Sequence, residues 1–137
     1  MKIFVLGGVS YDTLIHVNTL PDPCPQTIFP KRVIHSIGST GAGKAIPLSK
    51  LGLDVTLHGL IGFDEFGNII KDILHKEKVN FIYDIDTKGT ETHTNIMADD
   101  GNRISIYTHP STFEPIIDNS KIDQAIIESD VILMNII

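Results

Sequence analysis

Gly38-Ser39-Thr40-Gly41-Ala42-Gly43-Lys44-Ala45, GSTGAGKA, is the stretch on which the reading of this 137-residue chain turns. Its first seven residues satisfy the G-x-x-x-x-G-K core of a phosphate-binding P-loop. The eighth does not: the Ser or Thr whose hydroxyl holds Mg²⁺ is here Ala45. The loop also follows an extended second segment instead of the first core strand, and no later strand ending in an acidic residue supplies a second metal contact. Gly38, Gly41 and Gly43 lie within six residues, more glycine than one strand-to-helix turn requires. With Ser39, Thr40 and Ala42 between them, they make a backbone free of bulky side chains at a helix N-terminus, which favours oxygen-rich or anionic ligands. The stretch reads better as a loop for a small polar ligand than as a nucleotide loop.

The helix it opens is marked by Ala42, Ala45, Leu48 and Leu51, with Gly52 placed as a C-terminal cap. Pro47 inside it predicts a kink in the first turns or a later start. Upstream, Lys2 to Leu6 is a continuous apolar run closed by Gly7-Gly8, the pattern of a strand buried on both faces. Thr13 to Leu20 and Ile28 to Ile37 read as a strand pair around the stiff connection of Pro21, Pro23 and Pro25. Downstream, Asp54 to Ile61 is a second buried strand. Asp64 to Lys76 follows as an amphipathic helix with Phe66, Ile69, Ile70, Ile73 and Leu74 on its inner face. Strand, helix, strand, helix implies a parallel sheet.

Val79 to Asp84, Thr92 to Ala98 and Arg103 to Thr108 are strand-like, and Asp99-Asp100-Gly101-Asn102 turns the last two into a hairpin. Ile104 and Ile106 alternate with polar neighbours, which marks a sheet with one buried face. Ile122 to Ile127 predicts a short helix and Val131 to Ile137 an apolar strand. Such a strand with nothing to cover it fits the first part of a larger α/β protein better than an edge or dimer strand.

Eleven Lys plus Arg against 17 Asp plus Glu give a net charge of -6 without clustering, which argues against nucleic acid and anionic membranes. Cys24 is the single cysteine, so no intrachain disulfide exists and a cytoplasmic location is expected. The N-terminal apolar run ends at Gly7-Gly8 without a cleavage-like site, and no run reaches membrane-span length, so neither export nor anchoring is expected. His16, His35, His58, His75, His93 and His109 show no metal-ligand spacing, so no metal site is expected.

Gly7-Gly8-Val9-Ser10-Tyr11-Asp12 lacks the third glycine and the helix of a dinucleotide fingerprint. Asp12 lies just past the carboxyl end of the first strand, where it either closes an Asx-type turn or faces a ligand. In GLIGFDEFG, Gly59 to Gly67, Asp64 is placed to cap a helix, with Phe63 and Phe66 expected to anchor the loop to the core.

Taken in order, GGVSYD, GSTGAGKAIPLSKLG, GLIGFDEFG and THTNIMADDGNRISIY resemble the N-terminal part of the ribokinase-like, phosphofructokinase-B type carbohydrate kinases, over essentially the whole chain. The resemblance implies an α/β fold: a Rossmann-like α/β/α sandwich core with a small β-sheet lid. The lid would come from two excursions of a single domain, about Thr13 to Ile37 and about Thr87 to His109. It further implies that Asp12, with Ser10 beside it, holds substrate hydroxyls, and that Gly38, Ser39, Thr40 and Gly43 lie against the sugar and hinge the lid. Two positions depart from the family pattern, Ser39 in place of a glycine and Gly43 in place of an asparagine.

The implied function is ATP-dependent phosphorylation of a sugar or nucleoside hydroxyl by a longer parent kinase, with ATP and Mg²⁺ as its cofactors and a homodimer formed through the lid. The catalytic base and its glycine-rich GAGD-like motif belong to the family's C-terminal half and are not among these residues. This chain alone is therefore expected to carry the substrate-binding half and lid, with no catalytic residue and no cofactor of its own. The alternatives are a noncatalytic sugar- or nucleoside-binding domain of the same fold, and a P-loop NTPase dependent on Lys44.

Overall fold

Lys2–Leu6 forms β1 because its β-branched and aromatic residues are buried on both sides, with Ile3, Phe4 and Val5 all below 5% exposed. The computed structural model describes residues 1–112 and 115–135. Along the chain β1 is followed by β2 (Ser10–Val17), β3 (Arg32–Gly38), α1 (Thr40–Lys50), β4 (Asp54–Ile61) and α2 (Glu65–Lys76). Then come β5 (Asn80–Ile85), β6 (Thr92–Ala98), β7 (Arg103–His109), α3 (Asn119–Glu128) and β8 (Val131–Met134). The expected last strand is thus shorter at its described end, and Ile136 and Ile137 lie outside the described residues.

Two four-stranded sheets result. The first, in the order β5-β4-β1-β8, is parallel throughout. The second, β3-β2-β6-β7, is mixed, with β2 and β6 parallel at its centre and an antiparallel partner on each side. It is assembled from two excursions, one leaving after β1 and one after β5, so both depart from the carboxyl ends of parallel strands. The proline-rich connection runs between β2 and β3, and Gly101, at φ 88°, makes the β6–β7 turn.

The core lies between the parallel sheet and α1 and α2: Ile3, Val5, Val55, Leu57 and Ile61 meet Ala42, Ala45, Ile70 and Leu74. α1 begins at Thr40, so Pro47 does not delay its start; the ring sits in the helix interior, seven residues on. α2 begins as expected, with Asp64 as N-cap accepting from the Gly67 N–H at 2.8 Å. The expected anchoring by phenylalanines divides. Phe63 is 97% exposed and anchors nothing, whereas Phe66 stacks on Tyr11 of β2 with ring centroids 5.3 Å apart. Phe63 precedes the N-cap Asp64 and lies outside the helix, whereas Phe66 sits in its first turn, so helical spacing does not bring the two rings to one face.

Asp64 also joins α2 to the segment entering β6. Its carboxylate accepts from the Thr90 hydroxyl at 2.6 Å and the Thr90 N–H at 2.7 Å, while Thr90 Oγ1 accepts from the Gly62 N–H at 2.8 Å. Burial opposes the charge of Asp64. The hydrogen bonds from Thr90 and Gly67, with His109 nearby, outweigh it and hold the carboxyl below its ordinary value of 3.8.

The opposite face of the parallel sheet carries a buried polar pair. His58 Nε2 lies 2.8 Å from Asp84 Oδ2, and Asp84 Oδ1 faces Lys121 Nζ and the Asp118 N–H, each at 3.3 Å. These contacts pin the start of α3 to β4 and β5. α3 itself buries no residue, and Ile126, Ile127, Ile132 and Met134 are 40%, 77%, 42% and 62% exposed. Burial raises the Asp84 carboxyl, but His58, Asp118 and Lys121 together bring it below 3.8. No helix among the described residues is long and apolar enough to cross a membrane.

Asp84→Ala leaves His58 buried without its carboxylate and is expected to lower the unfolding free energy by about 3 kcal/mol in urea denaturation. Because Asp84 and Asp64 titrate lower in the folded chain than the ordinary 3.8, their contribution is full above that value. It declines as pH falls below 3.8 and is gone once pH passes the folded values. Asp84→Ala should therefore flatten the acid limb of stability against pH.

Candidate functional site

In open α/β sheets ligands bind beyond the carboxyl ends of the strands, where the strand order reverses. Here the reversal is at β1, which has β4 on one side and β8 on the other. Gly7 and Gly8 follow β1, and α1 starts against them: the Gly41 N–H donates to the Gly8 carbonyl at 3.0 Å. A Cβ on Gly41 would come within 2.5 Å of Gly8 O, so this contact needs a glycine.

From that crevice β2 rises into the second sheet. Ser10 pairs with Gly38 and Asp12 with Ser36, which puts Ser10, Asp12, Gly38 and Ser36 on one face. Asp12 lies so close to Gly38 that a Cβ there would meet Oδ2 at 2.1 Å. Ser10 is fully buried and Asp12 is 7% exposed. Ser10, Asp12 and Gly38 are thus brought together, while Ser39, Thr40 and Gly43 continue along the first turn of α1, the Gly43 N–H donating to Ser39 O at 3.0 Å. Gly43 is exposed, and a Cβ on it would meet nothing within 4 Å, so there is open space where the family pattern has an amide.

Ser39 stands at φ 67°, ψ 165°, a region that glycine occupies almost alone. It is the N-cap of α1 but its side chain makes no cap hydrogen bond, lying instead over Gly8. Lys44 donates to Asn135 Oδ1 beyond β8, and Ala45 is fully buried in the core. The P-loop spelling therefore places its lysine on a protein amide and its eighth residue inside.

Residues of β6 and β7 that the motifs did not single out complete the cluster. Asn95 Nδ2 lies 3.4 Å from Asp12 Oδ2, and Asn95 Oδ1 accepts from Ser105 Oγ at 2.6 Å. His93 Nδ1 lies 3.4 Å from Asp12 Oδ1, and its Nε2 lies 3.0 Å from Glu91 Oε1 but off the line a hydrogen bond needs. Tyr107 covers the His93 ring, centroids 4.1 Å apart. Their signal in the sequence was Thr92-His93-Thr94-Asn95, four polar residues in succession where a half-buried strand needs only alternate ones. Ser10 Oγ, Asp12 Oδ1 and His93 Nε2 are buried without a hydrogen-bond partner among the described residues.

Two hollows, of about 340 and 350 Å³, lie elsewhere, one in the proline-rich connection and one beside Phe66 and Lys88; neither is lined by Asp12. Among the described residues no group of three His, Cys, Asp or Glu side chains converges as a metal site requires.

A family model described as pfkB family carbohydrate kinase matches residues 2–133. The chain belongs to that family. It is similar to an acarbose 7(IV)-phosphotransferase from Actinoplanes sp., 28% identical over 105 residues that make up 77% of this chain and 35% of that enzyme. Among solved structures it is similar to a microbiome-derived acarbose kinase, with a TM-score of 0.84 and 26% identity over 97% of this chain and 44% of that one. It also superposes on ribokinase from Arabidopsis thaliana complexed with ribose and ATP, at a TM-score of 0.73 and 19% identity, again over 97% of this chain and 44% of the other. The fold is thus the ribokinase-like α/β arrangement, and this pfkB-family chain spans under half the length of each of these relatives.

Ser39→Gly removes a side chain from a backbone conformation that costs about 1 to 3 kcal/mol for a non-glycine residue. After the added chain entropy of glycine, a gain of about 1 kcal/mol in unfolding free energy is expected. Calorimetric melting of the two proteins checks it; an unchanged or lower midpoint contradicts the strain.

Proposed function

We propose that this chain is the substrate-binding half and lid of an ATP-dependent kinase acting on a hydroxyl of a sugar or nucleoside. The observation that carries this reading is that three of the four buried polar side-chain atoms without a hydrogen-bond partner among the described residues, Ser10 Oγ, Asp12 Oδ1 and His93 Nε2, belong to this cluster, the fourth being Asn135 Nδ2. Buried polar atoms are nearly always paired, so three together call for a ligand rich in hydroxyls. Asp12 accepts from ligand hydroxyls, Ser10 donates or accepts, and Gly38, Ser39, Thr40 and Gly43 offer a bare backbone edge along which a ring lies. The second sheet, with its two excursions at about 13–37 and 87–109, serves as the lid of a single domain. By excluding water it favours transfer to the substrate over hydrolysis.

ATP with Mg²⁺ is the phosphoryl donor in this reading, and the relative from Arabidopsis thaliana is a complex with ATP. The described residues do not fit a nucleotide: Lys44 is engaged by Asn135, and Ala45 faces the core. We assign the nucleotide, its metal and the catalytic base to a longer protein, which the exposed face of α3 and β8 supports. The same buried polar atoms also serve a second reading, a noncatalytic binding domain of the same fold. The two part on one point, phosphorylation by the full-length protein.

Dimerisation through the lid has its own support. Val33, Ile15, Ile96 and Ile104 stand in register across β3, β2, β6 and β7, an apolar row on the face opposite Asp12. Val33 and Ile104 are 49% and 38% exposed. A second copy of the row would cover it. Ile104→Glu is expected to shift sedimentation to the monomer, whereas an unchanged dimer, or a monomeric parent, rejects this interface.

The chain is expected to bind at least one of D-ribose, D-fructose, adenosine, maltotriose and acarbose by calorimetry, the last because two relatives are named for it. Asp12→Ala should remove that heat, a loss of at least about 100-fold in affinity. Absence of heat with every probe, or undiminished binding by the variant, contradicts the assignment.

A further inference from the structure

We propose that His93 is a positioning residue for Asp12, holding the carboxylate in the orientation that receives substrate hydroxyls; this rests on reading Asp12 as the substrate-contacting carboxylate. Three observations carry it. First, Asp12 is flanked from β6 at both oxygens: Asn95 Nδ2 donates to Oδ2 at 3.4 Å, and His93 Nδ1 stands 3.4 Å from Oδ1 without a hydrogen bond. The other wall is Gly38, whose missing Cβ lets Oδ2 lie against the backbone. Second, the two β6 side chains are themselves fixed. Ser105 Oγ donates to Asn95 Oδ1 at 2.6 Å, Tyr107 covers the His93 ring, and Glu91 faces its far nitrogen at 3.0 Å. Third, neither Asp12 nor Glu91 has a Lys or Arg ion pair among the described residues, although their side chains are only 9% and 14% exposed. Among the described residues His93 is the side chain with a nitrogen facing each.

The His93 ring is packed against Tyr107 between two carboxylates, neither aligned as a hydrogen bond, and a small turn of the ring would align its Nδ1 with Asp12, as orienting partners do for a ligating or catalytic histidine. The Nδ1–Oδ1 separation is a few tenths of an ångström beyond a hydrogen bond, and such contacts tighten when a ligand closes the site. Glu91 thus acts on Asp12 through His93, and Ser105 acts on it through Asn95. The lid strands β6 and β7 thereby decide which oxygen of Asp12 is presented, and His93 with Tyr107 closes the side of the carboxylate toward β7.

The test is calorimetric binding of the probe from the set above that the wild-type chain takes up, with melting followed in parallel. His93→Leu keeps the bulk and loses the donor, and should weaken binding by about 10- to 100-fold with little change in melting temperature. His93→Asn keeps a donor near the Nδ1 position and should recover most of the loss, which a packing role alone would not allow. Glu91→Gln, one residue removed from Asp12, should weaken binding by a smaller factor, and it decides the matter if His93→Leu disturbs the fold. The carboxyl carbon of Asp12 should shift in its NMR resonance in both His93→Leu and Glu91→Gln. Wild-type affinity in His93→Leu or in Glu91→Gln, with Asp12→Ala still inactive, overturns the role of His93 alone. Undiminished binding by Asp12→Ala overturns the underlying reading with it.

Discussion

The arrangement of this chain depends on backbone meeting backbone where no Cβ fits. α1 can start against Gly7 and Gly8 only because Gly41 has no side chain. That contact fixes the helix N-terminus at the carboxyl end of β1, beside β8, at the point where the strand order reverses. A second glycine contact, the Asp12 side chain against the Gly38 backbone, sets a carboxylate on the second sheet next to the first turn of the helix. One pair of close approaches therefore locates the crevice and the other supplies it with a functional group. Ser39 joins them, and its backbone strain is the cost of having a side chain at the joint.

Between these two contacts the second sheet has few ties to the body. Tyr11 stacks on Phe66 at the start of α2 and the Tyr11 N–H donates to Glu91 O at 3.0 Å, so both excursions are stitched together near their base. The Asp64–Thr90 hydrogen bonds make a second tie, from α2 to the entry of β6. Away from the base, contact is between strands of the sheet itself.

Much of this was legible in the sequence because it is written in period and punctuation. The uniform apolar runs of β1 and β4, the Asp99–Asn102 turn and the glycines of the α1 loop each have one physical reading, and the order of the motifs named the family. Other features were not legible because they depend on partners distant in sequence. Phe63 and Phe66 look alike in the chain, yet only Phe66 meets Tyr11. Pro47 is accommodated within α1, which no local rule anticipates. The cluster of Glu91, His93 and Asn95 around Asp12 requires the parallel pairing of β2 with β6, about 80 residues apart, and periodicity carries no information about such pairing. The polar run from Thr92 to Asn95 was the one trace it left.

The same cluster bears on what the site accepts. Two carboxylates, Asp12 buried and Glu91 partly so, lie near one imidazole without any Lys or Arg ion pair among the described residues, in a chain of net charge -6. Bringing a phosphate ester against that surface would add like charge in a low-dielectric setting, where repulsion of this kind costs several kcal/mol. A neutral hydroxyl meets no such penalty and satisfies the free oxygen of Asp12. Were Asp12 to contact the substrate as proposed, its surroundings would favour an uncharged polyol over the phosphorylated counterpart. Such a preference would rest on the missing Lys or Arg partner of Asp12 among the described residues as much as on the hydrogen bonds around it.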